Sequence, residues 1–111
     1  MKTIQDLLTA SRALLQDQME PYRYPTADLI MGLNLGLTEA YRLRPDMFVR
    51  REVPFFTIAD ILNSHTLPQG YQSAFLYYMI GHVQLRDAED TQDARAGVFI
   101  NKFTTQLLGM A

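Results

Sequence analysis

His65 and His82 are the only histidines in the chain, seventeen residues apart. Just beyond His82, the stretch RDAED brings Asp87, Glu89 and Asp90. On a continuous helix Glu89 would lie about two turns past His82 and on the same face. Imidazole with carboxylate is metal-ligand chemistry, but a site needs further ligands close by. The chain has no cysteine, so neither a thiolate site nor a disulfide framework is available. The expected reading is a solvated acidic helix end meeting an acidic cap. His82 shares its helix face with Tyr71, Phe75 and Tyr78, which predicts a packed, hydrogen-bonded histidine. No serine sits in a nucleophile elbow and no loop cradles phosphate. Metal, cofactor and catalysis are therefore not expected; only a metal held by His82 and Asp87 would revive an enzyme.

The strongest charge pattern is basic. Arg42, Arg44, Arg50 and Arg51 are four of ten cationic residues and fall within ten positions. Asp87, Glu89, Asp90 and Asp93 form an acidic counterpart within seven. Solvated, salt-bridged surface is the simpler reading. The functional one is contact with DNA phosphates or with an acidic protein surface. In a ring of identical subunits the two patches would meet head to tail.

The elements that must position these residues are helical. At 111 residues the expectation is one domain, 1–111, and 48% hydrophobic content suffices for a core. A net charge of −2 gives no overall pull toward nucleic acid or anionic membrane. No stretch of 18 apolar residues exists to span a membrane, and the start of the chain does not read as a signal peptide. The first helix is expected over 4–17, with Thr3 and Asp6 as a capping pair and Ile4, Leu7, Leu8, Leu14 and Leu15 as its apolar stripe. The second runs over 26–44 with Thr26 as N-cap. It ends before Pro45, with Leu29, Ile30, Leu33, Leu37, Ala40 and Tyr41 toward the core. The third starts near Pro68 and runs through RDAED, apolar on every face across AFLYYMIG. The fourth covers 92–108, with Thr91 as cap and Gly109 as its stop. Helices three and four, joined by a short loop, are expected to be antiparallel. The expected fold is all-α: a small four-helix bundle with an irregular or hairpin-like arm, 46–67, between helices two and three.

Gly32 and Gly36 pose a question, because each glycine inside a helix costs about 1 kcal/mol against alanine. One reading is tight packing at the edge of an intersubunit surface. It draws on a third helix too apolar for three short neighbours to cover, and on Met31 and Leu35, which fall on the polar side of helix two. The other is that both glycines accommodate bulky aromatic side chains within one chain. Both remain open at the level of sequence.

Two blocks carry a resemblance. YRYPTADLIMGLNLGLTEAYRLRPDMF resembles the opening of tailed-phage head-to-tail adaptor (connector) proteins through Tyr24, Pro25, Leu33, Asn34, Gly36, Arg44, Pro45 and Asp46. LPQGYQSAFLYYMIGHVQLRDAEDTQDARAGVFINKFTTQLLG is similar to their C-terminal half through Leu67, Pro68, Tyr71, Tyr78, Asp87, Phe103, Leu108 and Gly109. Many members carry a long β-rich insertion between the blocks, where this chain has only 47–66. The usual tryptophan before proline is Tyr24. The resemblance implies a helical bundle that forms a ring, usually twelve-fold, beneath the portal of a filled capsid. Such a ring extends the DNA channel without sequence-specific DNA binding and offers a docking surface to a tail or nozzle protein. It places the protein in the virion, after synthesis in the host cytoplasm. The expected contact residues are Met31, Leu35, Arg42, Arg44, Arg50, Arg51, Phe55, Phe56, Asp87, Glu89, Asp90 and Asp93. The arm is expected to meet neighbouring subunits or the tail, and one chain terminus to order against the portal. The alternative is a small intracellular helical regulator that binds protein or DNA as a dimer.

Overall fold

The computed structural model describes residues 2–48, 53–65, 67, 69–86 and 90–108. It contains four α-helices: α1 (Ile4–Leu15), α2 (Thr26–Leu43), α3 (Gln72–Arg86) and α4 (Asp90–Leu107). No strand occurs among the described residues, and Thr3 and Ser64 form a single isolated antiparallel bridge. The fold is all-α, as the periodicity predicts.

α1 begins where Thr3 and Asp6 cap each other. The Thr3 hydroxyl accepts from the Asp6 N–H at 3.2 Å, and the Asp6 carboxylate accepts from the N–H groups of Thr3 and Lys2 at 3.1 and 2.9 Å. The helix stops at Leu15, two residues short of expectation. Gln16 turns left-handed at φ 57°, and Asp17 donates its N–H back to the Arg12 carbonyl at 2.9 Å. Asp17 leaves the helix because its carboxylate serves the following loop, as described below. The apolar stripe changes accordingly. Ile4, Leu7 and Leu8 are buried, but the buried face continues through Ser11 and Arg12, while Leu14 is exposed. At about 100° per residue the helix rotates Ser11 and Arg12 onto the inner face and Leu14 to its edge.

α2 opens on Pro25, which makes no side-chain cap. Thr26 is therefore not the N-cap; it is the first helical residue, and its hydroxyl accepts from Arg12 Nη2 at 2.9 Å. Leu29, Ile30, Leu33, Leu37 and Ala40 are buried as the helical wheel predicts, and Tyr41 is half-buried.

α3 is the central post. A short 3-10 turn, Gln69–Tyr71, leads into it. Ala74, Phe75, Leu76, Met79, Ile80 and Val83 are all buried. α1, α2 and α4 each pack on it, most extensively α4. Three short helices thus do cover it, and the expectation that it overfills a single bundle fails. The two tyrosines, Tyr77 and Tyr78, are only half-buried and lie at the edges of the interfaces.

α4 runs antiparallel to α3. Ser73 bonds Gln106 at 2.9 Å, and the ring centroids of Phe75 and Phe103 lie 6.0 Å apart. Tyr77 stacks on Phe99 at 5.9 Å, and a methyl at Gly81 would meet Ile100 and Ala96. Positions rise along one helix as they fall along the other. Gly109, the expected stop, lies outside the described residues, as does Pro68.

The glycine question is answered inside the chain. A methyl at Gly32 would stand 3.2 Å from the Met79 Cα and 3.2 Å from the His82 ring; one at Gly36 would stand 3.1 Å from the Tyr78 ring. Both glycines let α3 and its aromatic side chains approach α2.

Candidate functional site

No described helix is long and apolar enough to cross a membrane. No group of three or more His, Asp or Glu side chains converges among the described residues. His65 and His82 occupy separate places. His82 packs against the Gly32 turn of α2. Nδ1 of His65 accepts from the Leu67 N–H at 3.3 Å, and the His65 N–H donates to the Lys2 carbonyl at 3.1 Å. Asp87 and Glu89 lie outside the described residues.

What the surface offers is apolar. On the outer side of α2, Met31 and Leu35 are 46% and 41% exposed. On the arm, Phe55, Ile58 and Leu62 are 70%, 54% and 79% exposed. Asn34 links α2 to the arm. Its Nδ2 donates to the Phe56 carbonyl at 2.8 Å, and its Oδ1 accepts from the Phe56 N–H at 2.9 Å. The clamp thus seats the arm against α2. Phe56, expected at the surface, is only partly exposed and packs on the core.

The arm has its own local order. Thr57 and Asp60 form a second capping box around a 3-10 turn, Ile58–Asp60. The carbonyls of Asn63 and Ile61 accept from the N–H groups of Ile4 and Gln5 at 3.2 and 2.7 Å. These are first-turn donors of α1 that no intrahelical partner can satisfy. The arm is therefore folded back onto the bundle.

The arginines divide. Arg42 is exposed and pairs with Glu39 one turn earlier, which holds the Glu39 carboxyl below its usual range. Arg44 grips both oxygens of Asp46, at 3.0 and 2.9 Å, and donates to the Leu107 carbonyl at 2.9 Å. This fork lowers the Asp46 pKa and raises that of Arg44. Arg44 thereby ties the end of α2 to the end of α4, and its fork is occupied within the chain. Arg50 and Arg51 lie outside the described residues. Asp90 and Asp93 stand in the opening turn of α4 by their main chain. Burial of the Tyr78 phenol, and then the nearby charge of Glu39, push its pKa upward.

Sequence reasoning missed one polar centre. Arg12 and Asp17, each with its side chain 8% exposed, pair at 3.0 Å. Asp17 also accepts from the N–H groups of Arg23 and Tyr24 at 2.8 and 3.0 Å. Arg12 donates to the Tyr24 carbonyl at 2.9 Å, and its guanidinium carbon lies 3.7 Å from the centroid of the Tyr22 ring. Together they fold the loop between α1 and α2. The one signal was Arg12 itself, a cation eight residues after Ile4 on the apolar face. A cleft of about 300 Å³ opens over it, lined by Gln5, Thr9, Gln18 and Tyr22 among others. Asp17 balances the charge at its floor, and no nucleophile–base pair faces it.

No protein-family model, no curated protein and no solved structure matches this chain.

Proposed function

We propose that the chain is a head-to-tail adaptor of a tailed-phage particle: a ring-forming structural protein that sits beneath the portal, continues the DNA channel and presents a surface to the tail. One observation carries the reading. Several residues that carry the resemblance to that family take part in the packing of the helices. Pro25 opens α2, Asn34 holds the arm, and Gly36 admits Tyr78, whose ring meets Phe103 at 4.8 Å. Arg44 then joins Asp46 and Leu107. The exposed Met31 and Leu35 on α2 and Phe55, Ile58 and Leu62 on the arm support the reading further, since apolar side chains left in water are candidates for a protein interface.

The ring, usually twelve-fold in that family, the portal and tail or nozzle protein as partners, and the virion as location all belong to this proposal. DNA would pass through the channel without being read. The test is to mix the purified chain with its cognate portal and image the product. A ring of copies on the portal is the expected result, with Arg50→Glu/Arg51→Glu weakening assembly in a salt-dependent way. A stable monomer that ignores the portal overturns the proposal.

A further inference from the structure

We infer that residues 53–65 form a strap that opens from the bundle as a unit while α1–α4 stay folded, with the Asn34–Phe56 clamp as its latch. The inference concerns the chain alone and stands whatever assembly it joins.

Burial is the first ground. None of the thirteen consecutive residues 53–65 is fully buried, whereas α1, α2, α3 and α4 all contribute fully buried side chains. Val53, Phe56 and Ile61 are partly covered, and Phe55, Ile58 and Leu62 face water. Opening therefore uncovers only the partly buried faces of Val53, Phe56 and Ile61 and what they cover, less than unfolding a helix with fully buried side chains would, and apolar exposure is the main quantity that separates local from global opening.

The second ground is the kind of bond that holds the strap. Asn34, 6% exposed, makes the two-point clamp on the Phe56 main chain. Three main-chain bonds join Ile61, Asn63 and His65 to Gln5, Ile4 and Lys2. On opening, each of these groups exchanges its partner for water at small net cost.

The third ground is that the turn within the strap is held by bonds of its own. The Asp60 carboxylate accepts from the Thr57 N–H at 2.8 Å, the Thr57 hydroxyl at 3.1 Å and Asn63 Nδ2 at 3.1 Å. None of these bonds reaches the bundle. The same strap that carries the three exposed apolar side chains would move as a preformed turn.

Native-state hydrogen exchange on the full chain tests this. The seam amides are Ile4, Gln5, Phe56 and His65. They are expected to exchange together, about 100-fold or more faster than Phe75 and Met79 of α3 after correction for intrinsic rates, and with a shallow dependence on denaturant. Asn34→Leu removes both latch bonds and is expected to raise seam exchange about 10- to 100-fold. Seam amides that share the rate and denaturant slope of α3 overturn the inference, as does unchanged seam exchange in Asn34→Leu.

Discussion

One methyl group placed at two glycines should have opposite effects. Gly81 lies on the buried face of α3, where an added Cβ would stand 2.7 Å from Ile100 Cγ1 and 3.1 Å from the Ala96 carbonyl oxygen. Carbon atoms pack comfortably at about 3.5–4.0 Å. Ile100 can adjust its rotamer, but the main-chain oxygen cannot move without α4. The helices must separate locally by several tenths of an ångström. Overpacking of this kind costs about 1–3 kcal/mol, and contact with both a side chain and the main chain argues for the upper half of that range. Replacing a helical glycine by alanine returns about 1 kcal/mol. Gly81→Ala should therefore lose about 1–2 kcal/mol net. Gly97 lies on the open side of α4, with nothing within 4 Å of the added methyl. Gly97→Ala should gain about 0.5–1 kcal/mol from helix propensity alone. Urea unfolding of both variants, fitted with a shared slope, measures the difference. Thermal melting should separate them by roughly 4 °C per kcal/mol in a chain of this size. If Gly81→Ala is as stable as Gly97→Ala, α3 and α4 do not approach as described, and the register set by Tyr77–Phe99 and Phe75–Phe103 is wrong.

Asp17→Ala strands the Arg12 guanidinium and two loop N–H groups, and should cost about 3–5 kcal/mol in denaturant unfolding, as expected for breaking one half of a buried pair. Gln16→Gly relieves the left-handed residue that closes α1 and should stabilise by up to about 1 kcal/mol in the same assay; a loss of stability would count against that backbone geometry. The carboxyls of Asp6 and Asp60 are held below their usual pKa, chiefly by the backbone N–H groups of Thr3 and Thr57. Because the folded pKa values are depressed, their stabilisation is complete above the unfolded value near pH 4 and is lost as pH falls through the folded values. Circular dichroism should find Asp6→Asn and Asp60→Asn less sensitive than the parent to acid below about pH 4.

The helices were legible because their signals are local. Thr3 with Asp6, proline before the second helix and a 3.6-residue apolar period around Leu29, Leu33 and Leu37 each act within a few residues. The end of α1 was not legible. Asp17 leaves the helix for partners at positions 12, 23 and 24, and no periodicity encodes that exchange. The even apolar spread of α3 showed that it is surrounded but not by what; three helices of its own chain are enough. The exposure of Met31 and Leu35 could be read from the helical wheel, whereas the seating of the arm on α2 runs through Asn34, whose side chain bonds a residue twenty-two positions away.

The stitching of the arm to the first turn of α1 also constrains the order in which the molecule assembles. Ile4 and Gln5 find their acceptors at Asn63 and Ile61, across nearly sixty residues of chain. During synthesis that opening turn must wait for the middle of the polypeptide, while the α3–α4 hairpin needs only neighbours close along the chain. Distant pairings carry a larger loop-closure entropy and form late. The α3–α4 hairpin is thus the natural nucleus, and the first turn of α1 is among the last parts to be finished.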